Sequence, residues 1–307
     1  MHLRHSTRIR VLWLVMGGLL LLAAALGHVR AQETADSPPP LRVSGVDTGA
    51  FPRVDLYLAA ADPLAPLPAA AGEVRVLDDG EAAEDASAAV VPIGVDLIFV
   101  IDANDTITTL DNDAELSRLE KARRSVMDFA TTYMNAEGLD RVSVLVPGGV
   151  GGNGRFLLQD AATPSAVVEG LLAYAPEEFG ETPLNAMLTQ AVEHAARQRA
   201  ANTRAGLTRY QAVLLFSDGA RLDEQLAFDE LTAAAQAVEL PLFGAILGAR
   251  ADPDEIANVT QLTDPTGGAY LHMPDEAALA PFYVLWQQQG RQLRVSFTSA
   301  QRSSGAY

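Results

Sequence analysis

The chain has 307 residues, of which 49% are hydrophobic and 20% charged, as is typical of a globular protein with a substantial core. Its formal charge is −17, and without the first 31 residues, which carry four arginines and no acid, 18 basic residues face 39 acidic ones, a charge of −21. Such a charge repels phosphate backbones, so we expect no nucleic-acid partner, and the absence of cysteine excludes disulfides, thiolate metal ligands and a cysteine nucleophile.

Residues 1–31 are predicted to be a signal peptide. Three arginines precede the uncharged apolar run 11–26. In the following Val29-Arg30-Ala31, small residues stand at the positions that a signal peptidase recognises. An uncleaved anchor helix is the alternative, although the run is shorter than the roughly 20 residues that a membrane span prefers. In both cases the rest of the chain is exported, to the cell surface or the periplasm, and it meets a membrane only through an uncleaved leader. The single lysine beside many arginines and alanines is typical of a GC-rich bacterial genome.

A proline-rich linker, 32–40, leads into a small β segment at 41–92. Apolar and polar residues alternate over 54–58, which predicts a half-buried strand. A second strand is expected around 74–77, whereas the acidic, alanine-rich stretch 82–89 is predicted to be a loop. Two or three strands are too few to bury a sheet face alone, so this segment needs a partner.

Strand and helix patterns then alternate as far as residue 290. Buried strands are predicted at 95–101, 142–146, 156–158, 212–216, 242–247 and 269–272. Helices are predicted at 115–134, 164–174, 183–201, 223–238, 254–262 and 276–289. Asp111, Asp113 and Glu115 are expected to cap and charge the start of the first helix. This order predicts an α/β fold with a doubly wound, mostly parallel six-stranded sheet and helices on both faces.

The final segment, Gln292–Thr298, alternates like the N-terminal β segment and places Leu293, Val295 and Phe297 on one face. We predict that it pairs with residues 41–60. Its other edge is expected to stay open to a further strand, as if residues 291–307 were part of a truncated β module.

Two of the predicted strands end in carboxylates. Ligands of open α/β sheets bind beyond the carboxyl ends of the strands where the strand order reverses, a point that the first and fourth strands flank. Asp102 follows the first strand and Asp218 the fourth, while Asn104, Thr106 and Thr182 offer further oxygens. Carboxylate, amide and hydroxyl oxygens are hard ligands that suit magnesium, calcium or manganese. The sequence therefore predicts a divalent metal site formed by these five residues.

The same five residues follow the order of a known motif. Further matching strings are GETPL at 180–184, SDG at 217–219, PLFGAILG at 241–248 and GGAYLHMPDEAAL at 267–279. Together they make residues 93–290 resemble a von Willebrand factor type A domain with its metal-ion-dependent adhesion site. That site takes an Asp-x-Ser-x-Ser loop, a later Thr and an Asp after the fourth strand. The resemblance implies adhesion or assembly, in which the metal offers a coordination position to an acidic side chain of a protein partner.

The loop after the first strand departs from that pattern. Asn104 stands at the first serine, Thr106 at the second, and Asp105 replaces the usual glycine, whose backbone freedom a tight loop uses. The resemblance thus implies a weakened or reshaped metal site. The alternative is a vestigial site in a scaffold that binds its partners independently of metal.

Other chemistries are less well supported. The stretch 102–113 lacks the glycine and the final glutamate of a helix-loop-helix calcium loop, and the glycine-rich 148–154 lacks the Lys-Ser/Thr of a phosphate loop. Ser217-Asp218 with His194 or His272 lacks the Gly-x-Ser-x-Gly turn of a hydrolase. Since no nucleophile–base pair is visible, we expect a binding protein rather than an enzyme.

Overall fold

A computed structural model describes residues 40–65, 67, 75–83, 85–104, 106–111, 116–148, 153–176, 182–204, 206, 208–219, 222–248, 252–273 and 275–300. The predicted leader, residues 32–39 of the linker, Asp105 and the tail 301–307 lie outside these residues. Within the described ranges, no helix has the length and apolar character needed to cross a membrane.

The strands are β1 (Leu41–Asp47), β2 (Arg53–Ala60), β3 (Leu77–Asp78), β4 (Glu81–Ala82), β5 (Ser87–Pro92), β6 (Val95–Ile101), β7 (Arg141–Pro147), β8 (Gly154–Ala161), β9 (Tyr210–Ser217), β10 (Leu242–Leu247), β11 (Tyr270–Met273) and β12 (Arg291–Thr298). The helices are α1 (Arg118–Asp128), α2 (Pro164–Ala173), α3 (Leu184–Arg204), α4 (Leu222–Gln225), α5 (Phe228–Ala237), α6 (Pro253–Thr263) and α7 (Ala280–Gln289). A π-helical turn, Phe129–Tyr133, continues α1, and a 3-10 turn, Asp264–Thr266, follows α6.

Six strands form the larger sheet, in the order β11-β10-β9-β6-β7-β8. Neighbouring strands are parallel except β7 and β8, which are antiparallel. The prediction of a mixed α/β fold with a mostly parallel six-stranded sheet is therefore confirmed. Along the chain, β6, β7 and β8 extend to one side and β9, β10 and β11 to the other, so the strand order reverses between β6 and β9.

Helices cover both faces of this sheet because β6 carries apolar side chains on both. Phe99 and Ile101 belong to a core with α1, α2 and α7, whereas Ile98 and Val100 belong to a second core with α3 to α6. The first core is rich in aromatic rings, and Trp286 stacks on Phe282 with the ring centroids 5.8 Å apart. The sheet is thus held rigid on both sides, which fixes where its strand ends lie.

The smaller sheet has the order β1-β2-β12-β5, and all its strands are antiparallel. β12 pairs with β2, as predicted for the C-terminal segment. The prediction of an open edge beside that segment is wrong, because β5 occupies the edge. The first half of β5, 87–89, falls in the stretch predicted to be a loop, where small alanines hide the alternation of half-buried and exposed positions.

Helix boundaries also differ from the prediction. The helix expected at 115–134 begins at Arg118, and Ser117 is its N-cap, with Oγ accepting a hydrogen bond from the Glu120 N–H at 3.2 Å. The helix expected at 223–238 is divided into α4 and α5 by Leu226 and Ala227. The strand expected around 74–77 is reduced, among described residues, to the short hairpin β3–β4.

Candidate functional site

Asp102 and Asp218 follow the adjacent parallel strands β6 and β9, at the point where the strand order reverses. The Asp102 N–H donates to the Phe216 carbonyl at 2.9 Å, which continues the ladder by one residue. The Ser217 hydroxyl donates to Asp102 Oδ2 at 2.7 Å. Both carboxylates therefore lie at one edge of the sheet, at the position that favours ligand binding in open α/β sheets.

The loop after β6 folds back on itself. Asn104 Oδ1 accepts the Thr106 N–H at 2.9 Å and lies 2.7 Å from Thr106 Oγ1, while Asn104 Nδ2 lies 3.3 Å from Asp102 Oδ2. Thr106 Oγ1 is also 2.7 Å from Asp218 Oδ2. The hydroxyl carries one proton, so it donates to one of these two oxygens at a time. Thr106 thus links the loop to the end of β9.

Thr182 lies two residues before α3 and is buried against Asp102, whose pKa its hydroxyl lowers. Nevertheless, Thr182 Oγ1 and Asp102 Oδ1 have no hydrogen-bond partner of acceptable geometry among the described residues, and both atoms are buried. Buried polar atoms without partners are costly and uncommon. The structure therefore brings together all five predicted residues, and we call Asp102, Asn104, Thr106, Thr182 and Asp218 the strand-end site.

Burial dominates the electrostatics of the site. Burial, together with the charge of Asp218, raises the pKa of Asp102 to about 6, although the neighbouring polar side chains of Ser217, Thr182 and Asn104 act to lower it. Glu255, at the start of α6, also has a raised pKa, through partial burial and then through the charges of Asp252 and Asp218. This end of the sheet thus holds two carboxyl groups, Asp102 and Glu255, whose raised pKa values come first from burial and then from neighbouring carboxylates.

Arg118, the first residue of α1, is a member of this network that the sequence analysis missed. Its Nη1 donates to Asp218 Oδ2 at 2.7 Å and to Thr106 Oγ1 at 2.9 Å. Its Nε donates to Asp111 Oδ1 at 3.0 Å. One guanidinium therefore connects the strand-end site with the segment that precedes α1.

Asp111 was predicted to cap and charge the start of the first helix, and the capping part is wrong, because Ser117 is the N-cap. The Asp111 carboxylate pairs with Arg118 Nε and with Lys121 Nζ, the latter at 2.6 Å. Asp111 and Lys121 are both almost fully buried. Asp113 and Glu115, from the same prediction, lie outside the described residues.

A sequence signal for Arg118 does exist. A cation in the first turn of a helix is unfavourable, because the helix dipole is positive there. An arginine at that position indicates a nearby carboxylate strong enough to compensate, and the structure provides Asp111 and Asp218. The apolar spacing did not locate the start of α1, so Arg118 could not be assigned to the first turn and the signal could not be used.

The five residues of the strand-end site were predicted to hold a divalent cation. Its donors are hard oxygens of the type that magnesium prefers, but three of them, Asn104 Oδ1, Thr106 Oγ1 and Asp218 Oδ2, already accept hydrogen bonds. Thr106 Oγ1 and Asp218 Oδ2 accept hydrogen bonds from Arg118, and Asn104 Oδ1 accepts one from the Thr106 N–H. No group of three or more metal-ligating His, Cys, Asp or Glu side chains occurs in the described part of the chain. In this arrangement the residues do not fit a divalent cation, since an ion touching Thr106 and Asp218 would meet the guanidinium charge.

The histidines of the described chain lie apart from the strand-end site. His194 Nε2 is 3.1 Å from Asp160 Oδ1 and 3.4 Å from Ser143 Oγ, so both neighbours meet the same ring nitrogen. A catalytic relay needs the nucleophile and the acid on opposite nitrogens. His272 Nε2 meets the Gly248 carbonyl at 2.7 Å. The pairing of Ser217-Asp218 with a histidine, considered from the sequence, is not formed.

Comparison with known proteins found similar solved structures at low sequence identity. No family model and no curated protein matches the sequence. Solved structures with detectable similarity include proximal thread matrix protein 1 from the mussel byssus, at 10% identity and a TM-score of 0.44. A second crystal form gives 10% and 0.42, and a form with zinc in its MIDAS motif gives 11% and 0.42. Each match covers 67% of this chain but 49% of the other, about half its length. At these TM-scores the similarity assigns neither a family nor a ligand to this chain.

Proposed function

We propose that this chain is an exported binding protein of the von Willebrand factor type A kind. Its sheet would be doubly wound, and it would hold a protein partner at the strand-end site without a bound metal. The export rests on the leader predicted at 1–31. The role is adhesion or assembly rather than catalysis.

The observation that carries this proposal is the convergence of the loop after β6, Thr182 and Asp218 at the reversal point of the sheet. Open α/β sheets bind their ligands there because loops of adjacent strands diverge and leave a crevice. Thr106, in the site, and Thr108, next to it, are both exposed. These hydroxyls give a partner polar contacts on a rigid base, as a binding site requires.

Support for binding over catalysis comes from the chemistry of the same residues. The Ser217 hydroxyl is buried and donates to the Asp102 carboxylate, and no histidine of the described chain is within hydrogen-bond distance of it. A serine nucleophile needs such a base to accept its proton. The residues at the sheet edge therefore favour recognition.

A capture experiment tests the proposal. The chain is immobilised and exposed to surface proteins of its source, with and without EDTA, and Thr108→Trp is compared with Thr203→Trp. Thr203 is also exposed, but it lies near the end of α3, before the N-terminal end of β9. We expect capture that EDTA does not change, and that falls about tenfold or more with Thr108→Trp alone. Equal capture by the two variants would contradict the proposal that the partner binds at the strand-end site.

Metal-dependent binding is the second candidate, and one observation favours it. Asp102 Oδ1 and Thr182 Oγ1 are buried oxygens without a partner among described residues, and a cation would satisfy both. A ligand that binds the folded state alone raises the melting temperature. If magnesium raises the melting temperature of the wild-type chain and EDTA releases the captured partner, this second function is correct and the first is wrong.

A further inference from the structure

We propose that Arg118 is the resident cation of the strand-end site. Its guanidinium takes the place between Thr106 and Asp218 that a divalent metal would need, and it keeps such a metal out. The inference rests on the proposed function in one respect, namely that the strand-end site is the site of binding.

The contacts of Arg118 are those expected of a cation at this position. One nitrogen, Nη1, meets a carboxylate oxygen of Asp218 and the hydroxyl oxygen of Thr106 simultaneously, at 2.7 and 2.9 Å. These are two of the five oxygen donors predicted to hold a metal. A guanidinium N–H and a metal ion compete for the same lone pairs, so the two cannot occupy the place together.

The position of Arg118 is fixed by the backbone and not by its side chain alone. The Arg118 N–H donates to the Thr109 carbonyl at 3.2 Å, and the Leu119 N–H donates to the Ile107 carbonyl at 2.8 Å. The start of α1 is thereby tied to the loop that carries Thr106. Moving the guanidinium away from Asp218 requires either a different side-chain rotamer or the loss of these bonds.

Burial separates this arrangement from an ordinary surface ion pair. The side chain of Arg118 is 20% exposed and that of Asp218 8% exposed, whereas the control pair Arg124–Glu120 on the same helix is 46% and 31% exposed. Exposed ion pairs contribute little to the stability of a protein, while desolvated ion pairs are strongly coupled to their surroundings. Arg118 therefore has a defined role at the site that Arg124 lacks.

Charge balance leads to the same conclusion. Arg118 and Lys121 together oppose the carboxylates of Asp111 and Asp218 in one connected network. These two cations balance these two carboxylates without a metal, and Asp102 is the further carboxylate of the site. A divalent ion added beside Asp218 would face a guanidinium only a few ångströms away, and in a partly buried site that repulsion is weakly screened.

Metal titration of the full chain tests the inference. Melting temperatures are measured with EDTA, magnesium and manganese for the wild type, Arg118→Gln, Arg118→Lys and the control Arg124→Gln. Each variant is compared with itself, so the loss of stability from the mutation does not enter. We expect no metal response from the wild type, Arg118→Lys or Arg124→Gln, and a rise of about 4 °C or more for Arg118→Gln at saturating metal.

Manganese bound to the protein gives a direct second readout by electron paramagnetic resonance, which does not depend on cooperative melting. If Arg118→Gln does not fold, the inference is tested on the wild type and Arg118→Lys, which should both leave manganese free. Binding of manganese by the wild type overturns the inference, and so does a folded Arg118→Gln chain that binds none. Neither measurement involves the partner, so failure here is distinguishable from failure of the capture experiment.

Discussion

Arg118 Nη1 lies 2.7 Å from Asp218 Oδ2, although the two residues are 100 positions apart in the chain. The contact joins the first turn of α1 to the end of β9, across the point where the strand order of the large sheet reverses. It places a fixed positive charge among oxygens that would otherwise repel each other. The geometry of the strand-end site is therefore set by Arg118, a residue that is not one of the five predicted metal ligands.

Asp111 is expected to be essential for the stability of this network. Asp111→Ala leaves the buried Lys121 ammonium without the carboxylate that lies 2.6 Å away, and removing one partner of a buried pair typically costs about 3–5 kcal/mol. Urea unfolding should show that loss in the free energy of unfolding, while Asp254→Ala, at an exposed position in α6, changes it by about 0.5 kcal/mol or less. A small effect of Asp111→Ala would mean that Lys121 finds compensation elsewhere.

The sequence was sufficient to predict most of the framework of the site but not its cation. β6 and β9 are apolar on both faces, so their ends, and with them Asp102 and Asp218, could be placed at one sheet edge from periodicity and topology rules. Arg118 meets Asp218 through tertiary placement of α1, which local patterns do not encode. β5 was not predicted for a different reason: its alanines give only a weak hydrophobic pattern.

Asp102 predicts a pH dependence whose sign can be derived. Its pKa is raised to about 6 in the folded chain against 3.8 in the unfolded chain, so the folded state binds the proton more tightly. The stability associated with protonation is therefore present at low pH and is lost as the pH rises through about 6. At pH 7.5 the charged carboxylate costs about 1–3 kcal/mol, which Asp102→Asn should recover.

Urea unfolding in EDTA at pH 7.5 and pH 5 measures this effect as the difference between Asp102→Asn and the wild type. The gain should fall to about half at pH 5, because the folded wild type is then protonated. A variant that is less stable than the wild type at pH 7.5 would show that the buried carboxylate is compensated by the hydrogen bond from Ser217.

Restoring the serine-and-glycine pattern of the loop should strengthen metal binding only in a chain that lacks Arg118. Asn104→Ser with Asp105→Gly removes the amide oxygen that accepts hydrogen bonds from the Thr106 N–H and hydroxyl. It also returns the backbone freedom of glycine to the loop. If Arg118 excludes the metal, this double change increases the magnesium-induced rise in melting temperature in the Arg118→Gln background and leaves the Arg118 chain unresponsive. A response of equal size in both backgrounds would show that the loop, and not the arginine, controls metal access.

The two edges of β12 give a prediction about the small sheet. β12 pairs with β2 over 293–298 and with β5 over 291–296, so its amides find ladder partners on either side. β1 pairs with β2 along one edge and stands at the border of the sheet, so amides on its outer edge have no ladder partner among the described strands. Hydrogen exchange under native conditions should therefore protect every amide of 293–296 but only alternate amides of β1. Alternating protection in 293–296 would show that β5 is not docked, and that the edge beside the C-terminal strand is open after all.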